Sequence, residues 1–504
     1  MTCRRGGNGH FALFAIALGM AVAQSACGDE ASTARRFEEA RRDEPSLIAF
    51  LKGMPKGGDL HVHVGGAIYA ENLLDNALKR GLFFDPATSL FETKDKPGRI
   101  PAAKFLEGDA GDYLTQFLDK ASMRGYRSGM SGHDHFFRAF GILDNAGEGM
   151  SAEEPNAEVI RRAKAQNVQY LELMTSVAPE SAYEPLFKDI PPVDHPEQAL
   201  ATLKPKLDAF VKAAKASLDQ RDKSLAALVG VPSRITSATG AITVRYIVAA
   251  SRLAPDNEFF VDIAAGMALM KADRRVVGVN ILAPEDHPFA RTHFEAQMRL
   301  MDALWWHFRK PNITLHAGEL TLDISPMEPM LSRIRKSIQV GHARRIGHGV
   351  SIAWEDDLPN LLKKMRDEGI AVEICLTSND GILGVKGDRH PFNLYRKAGV
   401  PITLNTDDEG VNRSNLTMEF VRAVRTYRLS YREVKALVRN SVEYSFLSGG
   451  SLYLQRDPSR LHPAFASLRE LHWAPSPIAR QALANSEKMQ VQVRLERAFV
   501  AFEN

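Results

Sequence analysis

Asp59-Leu60-His61-Val62-His63 ends an apolar run on two histidines, and the same arrangement recurs along the chain. Thr314-Leu315-His316-Ala317-Gly318-Glu319, Arg345-Ile346-Gly347-His348, Glu373-Ile374-Cys375-Leu376 and Asn405-Thr406-Asp407-Asp408 each join a hydrophobic run to a metal-binding or acid–base residue. Val276-Val277-Gly278-Val279-Asn280 does so more weakly, with an amide. Such endings mark a (β/α)8 barrel enzyme, whose reactive side chains gather at the C-terminal ends of parallel strands. Working outward, eight strand-like runs alternate with helical patterns, at 59–62, 168–173, 244–249, 276–282, 313–315, 345–347, 371–376 and 402–405. Near-continuous apolar runs suit strands buried on both faces. The expected fold is an α/β TIM barrel with long insertions after the first and second strands and a helical C-terminal tail. Those insertions, at about 85–150 and 178–240, follow strand ends and so emerge on the catalytic face, where a roof over the pocket, a dimer surface and a partner-binding arm are the open alternatives.

The 504 residues are 44% hydrophobic and 25% charged, enough for one large core. A total of 64 basic and 61 acidic residues leaves a net charge of +3 without long runs. No concentrated basic face marks a nucleic-acid binder. Arg4 and Arg5 precede a short apolar run and small residues, the pattern of a secretory signal peptide and too short to span a bilayer comfortably. Ser25-Ala26-Cys27 resembles a bacterial lipobox, although Gln24 stands where such boxes usually carry Leu. The expected divisions are a signal at 1–26, a polar tether and the start of a first helix at 27–50, the barrel at 51–450 and a helical extension at 451–504. The expected address is the periplasm or cell envelope, with membrane contact solely through a lipid on Cys27. A homodimer is a further partner the reading admits. Cys3, Cys27 and Cys375 are the three cysteines, so no intramolecular disulfide is expected and Cys375 should pack as a small hydrophobe.

His61 and His63 lie two apart on one strand, so both imidazoles point the same way and can grip one metal ion. His316 closes the fifth run, and Asp407 closes the eighth, which neighbours the first in a closed barrel. Three imidazoles and a carboxylate suit one Zn2+ or a similar divalent ion with a position left for water. Glu319, three residues after His316, can shuttle protons, with burial raising its pKa into the useful range. His348, between glycines, is expected to take a proton from that water or to orient it. Asp408 must point differently from Asp407, which frees it for substrate. His133-Asp134-His135 reads as a loop or helix start, Trp305-Trp306 as a cover for the barrel, and His342 as structural. Cytidine-deaminase-type zinc chemistry is excluded, because its His-x-Glu and Pro-Cys-x-x-Cys signature is missing.

Pro55-Lys56-Gly57 before Leu60-His61-Val62-His63, with His316-Ala317-Gly318-Glu319, Ile346-Gly347-His348-Gly349 and Asn405-Thr406-Asp407-Asp408, resembles the adenosine deaminase family. Thr377-Ser378-Asn379, His390-Pro391 and the stretch from Asn440 to Leu447 extend the likeness over roughly residues 50–450. The resemblance implies that His61, His63, His316 and Asp407 hold one zinc ion per chain. It implies that Glu319 protonates a purine ring nitrogen, that His348 and Asp407 orient the attacking water, and that Asp408 bonds the imidazole-ring nitrogen of the purine. Gly318, Ala283 and the Gly65 position complete the implied substrate contacts. The implied reaction converts adenosine or 2′-deoxyadenosine to inosine or 2′-deoxyinosine plus ammonia.

Two departures qualify that inheritance. Family members commonly carry Asp at the Gly65 position, contacting the ribose 5′-hydroxyl. Around the fourth run they read Gly-x-Asp-Leu-x-Gly, where this chain has Gly278-Val279-Asn280-Ile281-Leu282-Ala283-Pro284. Ala283 can still donate its N–H, whereas Pro284 cannot. The export signal and insertions resemble the secreted, growth-factor-related branch. Gly65 keeps open a deaminase of adenine or of a modified nucleoside. A silent exported binding protein is the remaining alternative, opposed by the intact Glu319 and His348.

Overall fold

The computed structural model describes residues 29–504 apart from 108–110, 127–128, 233, 236 and 239. The expected export segment and Cys27 lie outside the described residues. Eight parallel strands form the centre: β1 (Gly58–His63), β2 (Tyr170–Met174), β3 (Thr243–Ser251), β4 (Val276–Leu282), β5 (Thr314–Ala317), β6 (Arg345–His348), β7 (Ala371–Ile374) and β8 (Ile402–Leu404). They pair in chain order, as β1 to β4 and as β5 to β8. Parallel bridges Val279↔Ile313 and Val62↔Asp407 join the two halves and close the barrel. Each expected run coincides with a strand to within a few residues. Registers such as His63↔Met174 and Ala317↔His348 set the chemistry-bearing ends side by side.

The barrel interior is not wholly apolar. Glu172, Arg345 and Glu373 are fully buried, and Arg345 donates to both carboxylates at 2.5 Å. The Tyr170 hydroxyl donates to Glu172 at 2.7 Å, and the Phe446 ring lies 3.7 Å from the Arg345 guanidinium carbon. A buried charge is tolerable when partnered on every side, as here.

Local signals start the outer helices. Asp43 caps Glu44–Gly53, Asn415 caps Leu416–Tyr427, and a Ser430/Glu433 capping box opens Tyr431–Glu443. The stretch read as a tether is instead a helix, Glu30–Ala40. Its polar composition hides one anchor, because Phe37 is fully buried against Phe50 and Tyr431. At the other terminus, Glu487–Glu503 lies across the N-terminal end of the barrel. There Arg494 donates to the Gln169 carbonyl at 2.8 Å and to Thr243 Oγ1 at 3.0 Å, where β2 and β3 begin.

The first insertion folds as three short antiparallel strands (Phe83–Asp85, Leu90–Glu92, Ile100–Pro101) and several helices, including His133–Gly147. Its core of Phe84, Phe91, Phe117 and Phe136 continues into Val350, Ile382 and Val411 beyond the strand ends, so it does roof the barrel. The second interval does not. It is dominated by one long helix, Pro196–Val229, which packs against Asp256–Ala272 and Glu153–Ala165 on the outer wall. Its buried residues fall at helical spacing (Leu200, Leu203, Leu207, Phe210, Ala214, Leu218), so one apolar stripe commits it to the barrel's flank.

Candidate active site

The two histidines of β1 and the one of β5 meet at their Nε2 atoms. His316 Nε2 lies 3.0 Å from both His61 Nε2 and His63 Nε2. Asp407 Oδ1 lies 3.6 Å from His61 Nε2 and 3.4 Å from His63 Nε2. The other ring nitrogens fix the tautomers. His61 Nδ1 donates to Glu373 Oε2 at 2.7 Å, and His316 Nδ1 donates to the Asn280 side-chain oxygen at 3.1 Å. Both Nε2 atoms therefore present lone pairs to one point, an arrangement that is repulsive unless a cation occupies it. A tetrahedral divalent ion with bonds of about 2.0–2.1 Å sets its ligand atoms about 3.3 Å apart. The four residues fit such an ion.

The electrostatics agree with ligation. Burial lowers the His63 pKa to about 4 and His316 well below its ordinary value, so both are neutral, as metal ligands must be. Burial also opposes charge on His61, but the Glu373 hydrogen bond and Asp407 outweigh it and hold its pKa up. Burial would raise Asp407, yet His348, His61 and His63 hold its pKa down, so it remains a carboxylate.

The proton-handling groups sit beside this point. The Glu319 backbone N–H donates to Glu285 Oε2 at 2.8 Å, and Glu285 Oε1 lies 3.5 Å from Arg252 and 3.3 Å from Arg333. Arg252 also donates to the His316 carbonyl at 2.9 Å, so one buried cluster positions both ends of the His316–Glu319 turn. Burial, with Asp407 and Glu285 nearby, raises the Glu319 pKa well above the usual carboxylate range. These surroundings favour its neutral, proton-bearing form. His348 Nδ1 lies 3.3 Å from Glu319 Oε1 and accepts from the Asn379 amide at 3.0 Å, while His390 Nε2 donates to the Asn379 oxygen at 3.2 Å. In that network neutral His348 keeps its hydrogen on Nε2, which faces Asp407 Oδ2 at 3.8 Å. Burial lowers its pKa to about 3.

Asp408 is buried, and burial together with Asp407 raises its pKa well above the ordinary value. Its Oδ1 has no hydrogen-bond partner. A Cβ on Gly66 would stand 1.9 Å from that oxygen, so only glycine lets the Val64–Ala67 turn pack over Asp408. Three non-glycine residues here hold left-handed backbone: Ala283 (φ 85°), His348 (φ 67°) and Asp407 (φ 62°). Each costs about 1–2 kcal/mol, strain of the kind that collects at functional sites.

His63, His316, Glu319, His348, Asp407 and Asp408 line a cavity of about 370 Å³, together with Gly65, Ala283 and Pro284. Gly318 instead makes the turn at φ 76°, where a side chain would collide with Ile334 and Ser351. His133 starts its helix and pairs with Asp286 at 3.0 Å, His342 stacks on Trp305 and pairs with Asp302, and Cys375 is buried and free. Sequence reasoning gave no role to Glu373, Asn280, Asn379, Glu285 or Arg252. Glu373 and Asn280 were nevertheless visible, as polar residues inside otherwise apolar runs.

A family model for adenosine deaminase matches residues 154–451. The chain belongs to the adenosine deaminase family. It is 34% identical over 137 residues to the adenosine deaminase of Clostridium perfringens, an alignment covering 27% of this chain and 38% of that relative. It is 36% identical over 133 residues to the aminodeoxyfutalosine deaminase of Streptomyces coelicolor, covering 26% and 32% respectively. Likeness to the adenosine deaminase of Clostridium kluyveri runs further, at 23% identity over 436 residues, 86% of this chain and 99% of the relative. Among solved structures, the N6-mAMP deaminase of Arabidopsis superposes with a TM-score of 0.52 at 21% identity, over 79% of this chain and 96% of that one. The adenine deaminase of Arthrobacter aurescens does so with a TM-score of 0.50 at 17% identity, over 78% and 94%. These superpositions share the family's barrel fold.

Proposed function

We propose that this protein is a metal-dependent hydrolase that deaminates the 6-amino group of a purine nucleoside, with zinc held by His61, His63, His316 and Asp407. Adenosine and 2′-deoxyadenosine are the parent substrates of this reading. One observation carries it: three imidazoles and a carboxylate converge beside the buried acid Glu319, an imidazole N–H and a buried carboxyl with one unpartnered oxygen, at the wall of one cavity. When bound, the ion supplies Lewis acidity and acidifies a water. The remaining work belongs to side chains. Protonated Glu319 hands its proton to the ring nitrogen beside the attacked carbon, which makes that carbon electrophilic. His348, donating from Nε2, and Asp407 orient the incoming water. Asp408, also protonated, donates to a purine ring nitrogen that can only accept. Water adds at the amino-bearing carbon; one of its protons passes to the amino group, which leaves as ammonia, and the other restores Glu319, giving the 6-oxo purine. The Asn379–His390 pair keeps His348 in the donor tautomer, which favours orientation over proton abstraction as its role.

The test is turnover of adenosine by metal-loaded protein, followed by loss of 6-aminopurine absorbance, beside Glu319→Gln. The variant should keep its metal and lose about 10²–10⁴-fold in kcat, the usual weight of general acid catalysis. No turnover of any aminopurine overturns the reading, and an unimpaired Glu319→Gln overturns the role of Glu319.

A further inference from the structure

β7 brings a thiol to the reactive end of the barrel. Alternate residues of a strand share a face, so Cys375, two past Glu373, follows it inward. β7 lies between β6 and β8, with Glu373 level with Gly347 and Ile374 level with Leu404. Cys375 therefore emerges between His348, which ends β6, and Asp407, which follows β8. Its thiol is buried and free, with a long contact of 3.8 Å to the Glu373 carbonyl.

Asp407 faces two ways. Its Oδ1 looks toward His61 Nε2 and His63 Nε2, at 3.6 and 3.4 Å, whereas its Oδ2 looks toward His348 Nε2 at 3.8 Å. Among the described residues, two groups of His, Cys, Asp and Glu bring their ligand atoms together closely enough for a metal ion. One is His61, His63, His316 and Asp407. The other is His348, Cys375 and Asp407, all buried, with one ligand atom of each within 4.8 Å of the others.

A divalent ion bound at about 2.0–2.3 Å holds such atoms about 3.3–3.7 Å apart, so side-chain shifts of about 1 Å complete the second set. Imidazole, carboxylate and thiolate leave one tetrahedral position open, and the sulfur favours Zn2+ or Cd2+ over Mg2+ or Ca2+. His348 and Asp407 both line the cavity, so an ion reaches the set from there.

We propose that His348, Cys375 and Asp407 Oδ2 form a second divalent-metal site, filled at excess zinc and inhibitory, with the Asp407 carboxylate bridging the two ions. Occupancy forms a metal–sulfur bond and breaks the S–H bond, the proton leaving to solvent. It also takes the His348 Nε2 lone pair, so the ring hydrogen moves to Nδ1, where it confronts the Asn379 amide donor. His348 then has no N–H with which to orient the attacking water. The hydrogen bond given up to Asn379 makes the second ion weaker than the first by about tenfold or more. The inhibition rests on the deaminase reading above, whereas the binding does not.

The experiment has a binding arm and a turnover arm. Protein carrying one equivalent of Zn2+ is titrated with Cd2+ while cadmium–thiolate absorption is followed and retained zinc is measured by elemental analysis. Absorption should grow until about one further ion is bound, with the zinc retained. Cys375→Ala should show no such absorption, and Cys375→Ser, of nearly the same shape, should likewise lose it; the zinc that both variants keep reports that they are folded. In the turnover arm, adenosine deamination by the unmodified protein should rise over the first equivalent of Zn2+ and fall as a second is added. Cys375→Ala should hold its own maximal rate at that excess. The proposal is overturned if the zinc-loaded protein takes up Cd2+ without thiolate absorption, if Cys375→Ala binds the second ion as tightly as the unmodified protein, or if a filled second site leaves turnover unimpaired. Failure of every aminopurine to react strikes the deaminase reading instead, and the cadmium titration still decides the site.

Discussion

Replacing Glu373 by Gln tests whether the buried centre of the barrel tunes the metal site. Glu373 Oε2 accepts from His61 Nδ1 at 2.7 Å, and its Oε1 accepts from Arg345 and, at 2.8 Å, from the Thr314 hydroxyl. Every partner is a donor, which suits a carboxylate whose pKa is pulled down to about 2, the Arg345 and His61 contributions outweighing burial. A glutamine is nearly isosteric but offers one acceptor and one NH2. If its oxygen faces Arg345 and Thr314, its NH2 confronts His61 Nδ1–H and drives the proton to Nε2, removing a ligand lone pair. If the oxygen faces His61, the NH2 confronts Arg345, and the guanidinium loses one of its two anions. Loss of such a supporting partner typically weakens metal binding about 10–100-fold, or about 1.4–2.7 kcal/mol. The lost charge-assisted bond costs about 1.5–3 kcal/mol of stability besides. Competition for zinc against a chromophoric chelator measures the first effect and denaturant unfolding of the metal-free protein the second. A zinc Kd within about twofold of the unmodified protein would refute the coupling between Glu373 and His61.

Three further outcomes are expected. Gly66→Ala drives a methyl into Asp408 and should cost about 1–3 kcal/mol of stability and about a hundredfold in turnover, with metal content retained by elemental analysis. Ala283→Gly releases a left-handed alanine and should raise the free energy of unfolding by up to about 1 kcal/mol in denaturant titration, whereas glycine at an ordinary helical position lowers it; a lowered value contradicts the strain. Asp262, on the helix Asp256–Ala272, has its pKa pushed up to about 7 by burial and by Glu258. Its folded pKa exceeds its unfolded one, so its favourable contribution is present below about pH 4 and is lost as pH rises through about 7. Asp262→Asn should therefore melt higher than the unmodified protein near pH 8 and match it near pH 4, as thermal scans at both pH values will show.

The barrel was legible because burial on both faces writes a strand as an apolar run, and its reactive end is where that run stops. His61, His63, His316 and Asp407 were readable for the same reason, and the structure brings them together. What the sequence concealed depends on partners far apart in the chain. Arg345 and Glu172 are separated by 173 positions, and no periodicity announces that they meet. The Arg252–Glu285–Arg333 cluster behind Glu319 is hidden in the same way. The helix Glu30–Ala40 escaped notice because its docking rests on few apolar residues, chiefly Phe37, and on partners far along the chain, such as Lys435 at 2.9 Å from Glu30. The place of the second interval was not legible, because following a strand end fixes where a segment begins and leaves open where its apolar stripe takes it.

The helix Glu487–Glu503 gives the chain a boundary of its own. The family match stops at residue 451, yet the cooperative unit does not, since the underside of β2 and β3 is sealed by Arg494. Phe502 packs at 5.2 Å against Phe50, so the last turn of the last helix closes on one of the first. Synthesis releases this helix only after every strand of the barrel has emerged. The barrel thus waits, unsealed, for Glu487–Glu503. A chain stopped at residue 451 would retain every proposed catalytic group and lack the piece that completes the fold.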